Sequence, residues 1–251
     1  MNDETKRTKL SVRISVISIM ALSLILINGE SFFPSANGQE TMCDNLESNI
    51  ALPVLLIHGY AEGPERWHQW KGLLDQENIP FCIVSFQQSN DACGSAEDHA
   101  TELGQIIQNV ISTTGQNQVN IVGYSKGGLD ARVYLANSNS QDVANLIMIG
   151  TPNAGSPWAE TTDACAPAIE DLRPEAPATM VEENTHTQYY TIAGSCLAFL
   201  PIIPEPNDGL VGISSVNSQS YFQPLGYSSN CHLNLLGGYE YGLAHDVLTT
   251  R

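Results

Sequence analysis

Residues 121–135 read IVGYSKGGLDARVYL. The apolar run that begins before Ile121 has the composition of a strand. The stretch from Lys126 onward has the spacing of a helix. Between them stands one serine, Ser125, fenced by Gly123 and Gly127. A plain turn would use Asn-Gly or Asp-Gly. A serine between glycines at a strand-to-helix junction fits a sharp bend that lifts a hydroxyl above the end of a sheet. There the missing Cβ atoms let strand and helix approach closely. On this reading Ser125 is a nucleophile rather than a turn residue.

Outward from that bend the chain alternates between two kinds of segment. Short β-rich runs are LPVLLI (52–57), FCIVSF (81–86), VNIVG (119–123), NLIMIG (145–150), QYYTIAG (188–194) and SYFQPLG (220–226). Helix-compatible stretches lie at 65–77, 96–112, 126–137 and 239–248, with a less regular one at 157–185. Continuous apolar strands separated by helices predict a mostly parallel sheet covered on both faces, a three-layer α/β architecture. In such sheets functional groups gather at the carboxyl ends of the strands.

The N-terminus is a separate matter. Lys6, Arg7, Lys9 and Arg13 precede an uncharged run from Ile14 to Ile27. As a helix that run would span about 21 Å, short of the roughly 30 Å hydrocarbon core. A basic start, a short apolar run and small residues at Ala36-Asn37-Gly38 read as a secretory signal peptide cut after Gly38, with an uncleaved membrane anchor as the alternative. Residues 39–251 are then the mature domain. All six cysteines lie there, an even number suited to disulfides in an exported protein. Cys82 and Cys93, which bracket one short loop, are the expected pair. The chain carries 10 Lys and Arg against 27 Asp and Glu, a formal net charge of −17. That balance argues against nucleic acid as a partner and disfavours anionic membranes.

Taken in order, IHGY (57–60), GYSKGG (123–128), GTPNAGS (150–156), NDGLV (207–211) and CHLNLL (231–236) make the chain resemble the α/β-hydrolase family. Within it, the chain is most similar to small secreted bacterial-type triacylglycerol lipases and esterases. The resemblance covers roughly 52–250. It implies a Ser-Asp-His order, with Asp208 as acid and His232 as base. Glu205 is the runner-up acid, and Asp208 also reads as a turn residue in Asn-Asp-Gly. His245, inside the last helical pattern, is the runner-up base. His99 is expected on a surface helix. The backbone N–H groups of Tyr60 and Lys126 are the implied donors to a tetrahedral oxyanion. The side chain of Lys126 reads as a surface cation, and that of His58 as a brace for the 58–60 loop. Asn153 stands where the family often has histidine, and asparagine can still brace that loop. With little chain before Leu52, the sheet is expected to be reduced from the full eight strands.

The implied activity is hydrolysis of small-molecule or lipid esters through an acyl-enzyme, by a secreted monomer that needs no cofactor and no metal. Segment 157–185 is the natural lid or cap. Its stretch to Glu183 holds seven acids and one arginine, which points to soluble esters or neutral interfaces with only transient lipid contact. A thioesterase, amidase or acyltransferase would share the same residues. A silent scaffold would have no need of all three.

Overall fold

The computed structural model describes residues 41–138, 140–177 and 183–250. The proposed signal segment lies outside them.

Seven strands form one sheet: β1 (Met42–Asp44), β2 (Val54–Ile57), β3 (Phe81–Ile83), β4 (Val119–Tyr124), β5 (Val143–Ile149), β6 (Gln188–Gly194) and β7 (Gln223–Ser228). Their order is β1-β3-β2-β4-β5-β6-β7. β1 runs antiparallel to β3, and every other pairing is parallel. The helices placed wholly within the described residues are α1 (His68–Gln76), α2 (Ala96–Thr114), α3 (Lys126–Ser138), the single turn α4 (Ile213–Val216) and α5 (Gly238–Thr249).

Two-residue alternation along the central strands builds both cores. Leu55, Ile57, Ile121, Leu146 and Met148 face α2 and α3, where they meet Leu103, Ile107 and Leu129. Val54, Leu56, Val122, Ile147 and Ile149 face α1 and α5, where they meet Trp70, Leu74, Ala244 and Leu248. All ten strand side chains are buried. This is why these strands read as unbroken apolar runs. The long helix α2 starts at Ser95, whose hydroxyl accepts from the Asp98 N–H at 3.1 Å, and stops at Gly115 with φ +69°. Both ends follow capping chemistry.

Several expectations are corrected. The strand expected at 220–226 is β7 at Gln223–Ser228, and the run at 81–86 is a strand only over Phe81–Ile83. β1 was not expected at all. Within 157–185, read as a less regular helix-compatible stretch, the structure has two short 3₁₀ turns, Pro157–Thr161 and Glu170–Leu172, among the described residues. Cys82 does not pair with Cys93. The disulfides are Cys43–Cys82, Cys93–Cys165 and Cys196–Cys231. Antiparallel pairing of β1 with β3 puts Cys43 directly opposite Cys82, with their Cα atoms 4.0 Å apart. Cys93 instead pairs with Cys165, in the segment after β5. Among the described residues, no helix is long and apolar enough to cross a membrane, and no cluster of three or more His, Cys, Asp or Glu could hold a metal.

Candidate active site

Ser125 occupies the bend between β4 and α3 with φ +52°, a left-handed conformation rare for a non-glycine residue. Holding it there costs on the order of 1–3 kcal/mol. Two backbone bonds help to fix it: the Ser125 N–H donates to Ile149 O at 2.9 Å, and the Gly128 N–H to Ser125 O at 3.2 Å. The flanking glycines are required by contact. A Cβ on Gly123 would lie 2.4 Å from the backbone of Gly128, and one on Gly127 would lie 2.4 Å from Ile57 O. Strand, bend and helix therefore close only without those side chains.

The structure brings Ser125, His232 and Asp208 into one line. Ser125 Oγ lies 2.9 Å from His232 Nε2, and His232 Nδ1 lies 2.7 Å from Asp208 Oδ2. All three are buried. Asp208 serves the turn and the line with different oxygens. Its Oδ1 accepts from the Leu210 and Val211 N–H groups at 2.9 and 2.7 Å, which leaves Oδ2 for the imidazole. A further bond, from the His232 N–H to Asp208 O at 2.8 Å, joins the two loops. The runner-up residues stand elsewhere. Glu205 is engaged by the Ser214 N–H and hydroxyl, and His245 is paired with Glu77 on the surface.

Tyr60 and Lys126 flank this line at the ends of β2 and β4. Among the described residues, their backbone N–H groups donate to no intramolecular acceptor. The loop carrying Tyr60 lies against the nucleophile, since a Cβ on Gly59 would sit 3.0 Å from Ser125 Cβ. His58 orients this loop. Its Nδ1 lies 3.0 Å from Gly59 O and its Nε2 lies 2.9 Å from Asp91 Oδ1. Both partners are acceptors, so a doubly protonated ring satisfies both. Burial alone would lower the His58 pKa, but the hydrogen bond and charge of Asp91 outweigh it and raise it. In a trans peptide the C=O of one residue and the N–H of the next point in opposite directions. Holding the Gly59 carbonyl therefore aims the Tyr60 N–H the other way.

Three neighbours of the site escaped the sequence reading. The Tyr124 hydroxyl donates to His232 O at 2.8 Å. Arg66 Nη2 donates to Leu233 O at 2.8 Å and stacks its guanidinium over the Tyr124 ring at 5.3 Å. Glu62 lies 3.0 Å from Arg66 Nε. Burial raises the Glu62 pKa, and Arg66 only partly offsets it. Tyr124 had a signal, as the residue beside Ser125 inside the motif. Arg66 and Glu62 had none: they stand four residues apart, and the contact that brings the pair to the site, Arg66 with Leu233, spans 167 residues.

Two expectations about side chains are reversed. Lys126 is not a surface cation, and His99, although its helix α2 has an exposed face, is turned inward, for both side chains are buried. The first turn of α3 is enclosed between the sheet and α2. Lys126 Nζ donates to Asp130 Oδ1 at 2.5 Å, and His99 Nδ1 lies 2.9 Å from Asp130 Oδ2. The His99 ring stacks on Phe86 with centroids 4.0 Å apart. Burial by itself would raise the Asp130 pKa, but Lys126 and His99 overcome it and lower it. The brace expected of Asn153 is present. Its Oδ1 accepts from Arg132 at 2.9 Å and its Nδ2 donates to Val216 O at 2.8 Å.

Comparison with known proteins agrees with this architecture. Two triacylglycerol lipases are similar in part. One, from Burkholderia plantarii, is 27% identical over 56% of this chain and 40% of its own length. The other, from Pseudarthrobacter phenanthrenivorans, is 31% identical over 43% of this chain and 35% of its own. The chain thus spans less than half the length of these relatives. Among solved structures, the mature form of a Bacillus licheniformis lipase superposes with a TM-score of 0.70 at 18% identity, covering 89% of this chain and all of that one. Such a likeness establishes the α/β-hydrolase fold. The family model described as palmitoyl protein thioesterase matches residues 53–195, from the first parallel strand to the end of β6. With more than half its length matched, the chain belongs to the palmitoyl protein thioesterase family of α/β-hydrolases.

Proposed function

We propose that this chain is a secreted serine hydrolase that cleaves carboxylic esters through an acyl-enzyme. The observation that carries the reading is the hydrogen-bonded line from Ser125 through His232 to Asp208. In the proposed reaction His232 Nε2 takes the Ser125 proton as Oγ attacks the ester carbonyl. The negative oxygen of the tetrahedral intermediate is held by the N–H groups of Tyr60 and Lys126, a type of contact worth roughly 3–4 kcal/mol. Asp208 stabilises the imidazolium. The proton then passes to the alcohol oxygen, the C–O bond breaks, and water activated by His232 releases the acid.

Three disulfides support an oxidising compartment, in keeping with residues 1–38 as a signal peptide. Residues 39–251 would be the catalytic domain, acting as a monomer, with 157–185 as its cap. A thioester substrate is the second reading, favoured by the family description. The same attack would then expel a thiolate.

The test is hydrolysis of chromogenic esters with two- to sixteen-carbon acyl groups, beside matched thioesters, by the wild type and Ser125→Ala. The proposal expects ester hydrolysis that drops about a thousandfold or more in the variant. Cleavage of thioesters alone would move the assignment to the second reading. Equal ester activity in both proteins would end it.

A further inference from the structure

The stretch CLAFLPIIP, residues 196–204, carries no charge in a chain of net charge −17. It projects from the carboxyl end of β6 as a closed hairpin. Leu197 and Asn207 exchange backbone bonds at 3.0 and 2.8 Å, and further out Leu200 and Ile203 exchange bonds at 2.9 and 3.0 Å. Asn207 Nδ2 also donates to Glu205 O at 2.7 Å. The Cys196–Cys231 disulfide fastens the base of the hairpin to the residue before His232.

The frame is closed by backbone bonds and a disulfide, and what it presents is apolar. Phe199 is 61% exposed, Ile202 39% and Leu197 37%. Leu233, immediately after His232, is 51% exposed. Leu197 Cδ1 reaches to 4.0 Å of where a Cβ on Gly209 would stand, beside Asp208. The hairpin therefore touches the loop of the acid and is tied to that of the base, on the edge of the sheet where Ser125 stands. Large exposed apolar side chains on this hairpin and on the loop bonded to its base mark a contact surface. A preformed hairpin also loses little freedom when it binds.

The charge pattern selects the partner. The tip offers nothing for an ion pair, and the strongly acidic molecule is repelled by an anionic surface. A surface that is neutral at its headgroups and apolar beneath matches both features. We propose that the 196–204 hairpin docks the protein on neutral, zwitterionic lipid surfaces, with Phe199 and Ile202 entering the acyl layer and Leu197 and Leu233 at the rim of the opening. This rests on the ester-hydrolase reading and names the phase in which its substrate is met.

The test is flotation of the Ser125→Ala protein, which leaves lipid intact, with phosphatidylcholine vesicles and with vesicles containing phosphatidylserine. Binding to the first is expected, with weaker binding to the second. Adding Phe199→Ser and Ile202→Ser should cut the bound fraction about tenfold or more. In the Ser125-containing protein the same pair should lower hydrolysis of an emulsified ester and leave that of a dissolved two-carbon ester within about twofold. No flotation, undiminished flotation in the paired variant, or a dimer that the paired variant dissociates would each overturn the proposal. Flotation as expected without hydrolysis of any ester would instead remove the hydrolase reading and leave the docking surface standing.

Discussion

At the scale of single residues, the account turns on what holds each functional atom still. Ser125 is held by two backbone bonds in a left-handed conformation, and the imidazole of His232 by a carboxylate whose second oxygen is committed to its own turn. The carbonyls of His232 and Leu233 are held in turn by the Tyr124 hydroxyl and by Arg66. Tyr124→Phe removes one such bond and keeps the ring. A hydrogen bond contributes about 1 kcal/mol net, so kcat should fall roughly fivefold while KM for a dissolved ester stays unchanged. Initial-rate kinetics check this, and an unchanged kcat would show that the bond does not position His232. Ser125 was legible from its local pattern, a serine between glycines at a strand-to-helix bend, whereas Asp208 and His232 were legible through the family resemblance. Arg66 and Asp91 were not legible, since only the folded chain brings them to Leu233 and His58, and Glu62 reaches the site only through Arg66, four residues on.

At the scale of elements, the central strands were read almost at their observed limits because they are buried on both faces and so uniformly apolar. β6 matches to the residue. The edges were read less well. β1 has only three residues, two of them half-buried and one exposed, so no apolar run announces it. β7 is largely exposed or half-buried, and its expected position was displaced toward the aromatic Tyr221 and Phe222, which pack elsewhere. Missing β1 also misled the cysteine pairing, because the partner of Cys82 comes from that strand. The Cys43–Cys82 disulfide staples this short edge strand across a separation of 39 residues. Replacing both cysteines by alanine should lower unfolding free energy by about 2–4 kcal/mol, read by denaturant titration, with activity at room temperature retained. A loss of activity without a loss of stability would mean that β1 acts on the site directly. The first turn of α3 was misjudged for a related reason: a lysine in sequence reads as surface, and only the packing against α2 encloses it.

At the scale of the whole molecule, charged groups in and beside the core set how stability responds to pH. Asp91 and Asp130 both have pKa values lowered by their partners, against the effect of burial. An unfolded aspartate titrates near 4, so their contributions are fully present above that pH and are lost as pH falls through the lowered folded values. His58 has the opposite sign. Its raised pKa gives stability that is complete below about pH 6.5 and is lost as pH rises through the folded value. Tm should therefore decline below about pH 4 and again as pH rises above about 6.5. Calorimetry from pH 2 to 10 checks both limbs, and a Tm independent of pH below 4 would show that these pairs do not contribute. Asp130→Asn leaves Lys126 buried without its counter-charge and should cost about 3–5 kcal/mol at neutral pH.

The central claim is that Ser125, driven by His232, is the nucleophile. The most direct measurement is labelling with a fluorophosphonate, followed by mass analysis of the intact protein and its peptides. The account predicts one adduct per chain on Ser125, forming far more slowly in His232→Ala and not at all in Ser125→Ala. An adduct on another residue, or labelling of Ser125 at the wild-type rate without His232, would contradict it.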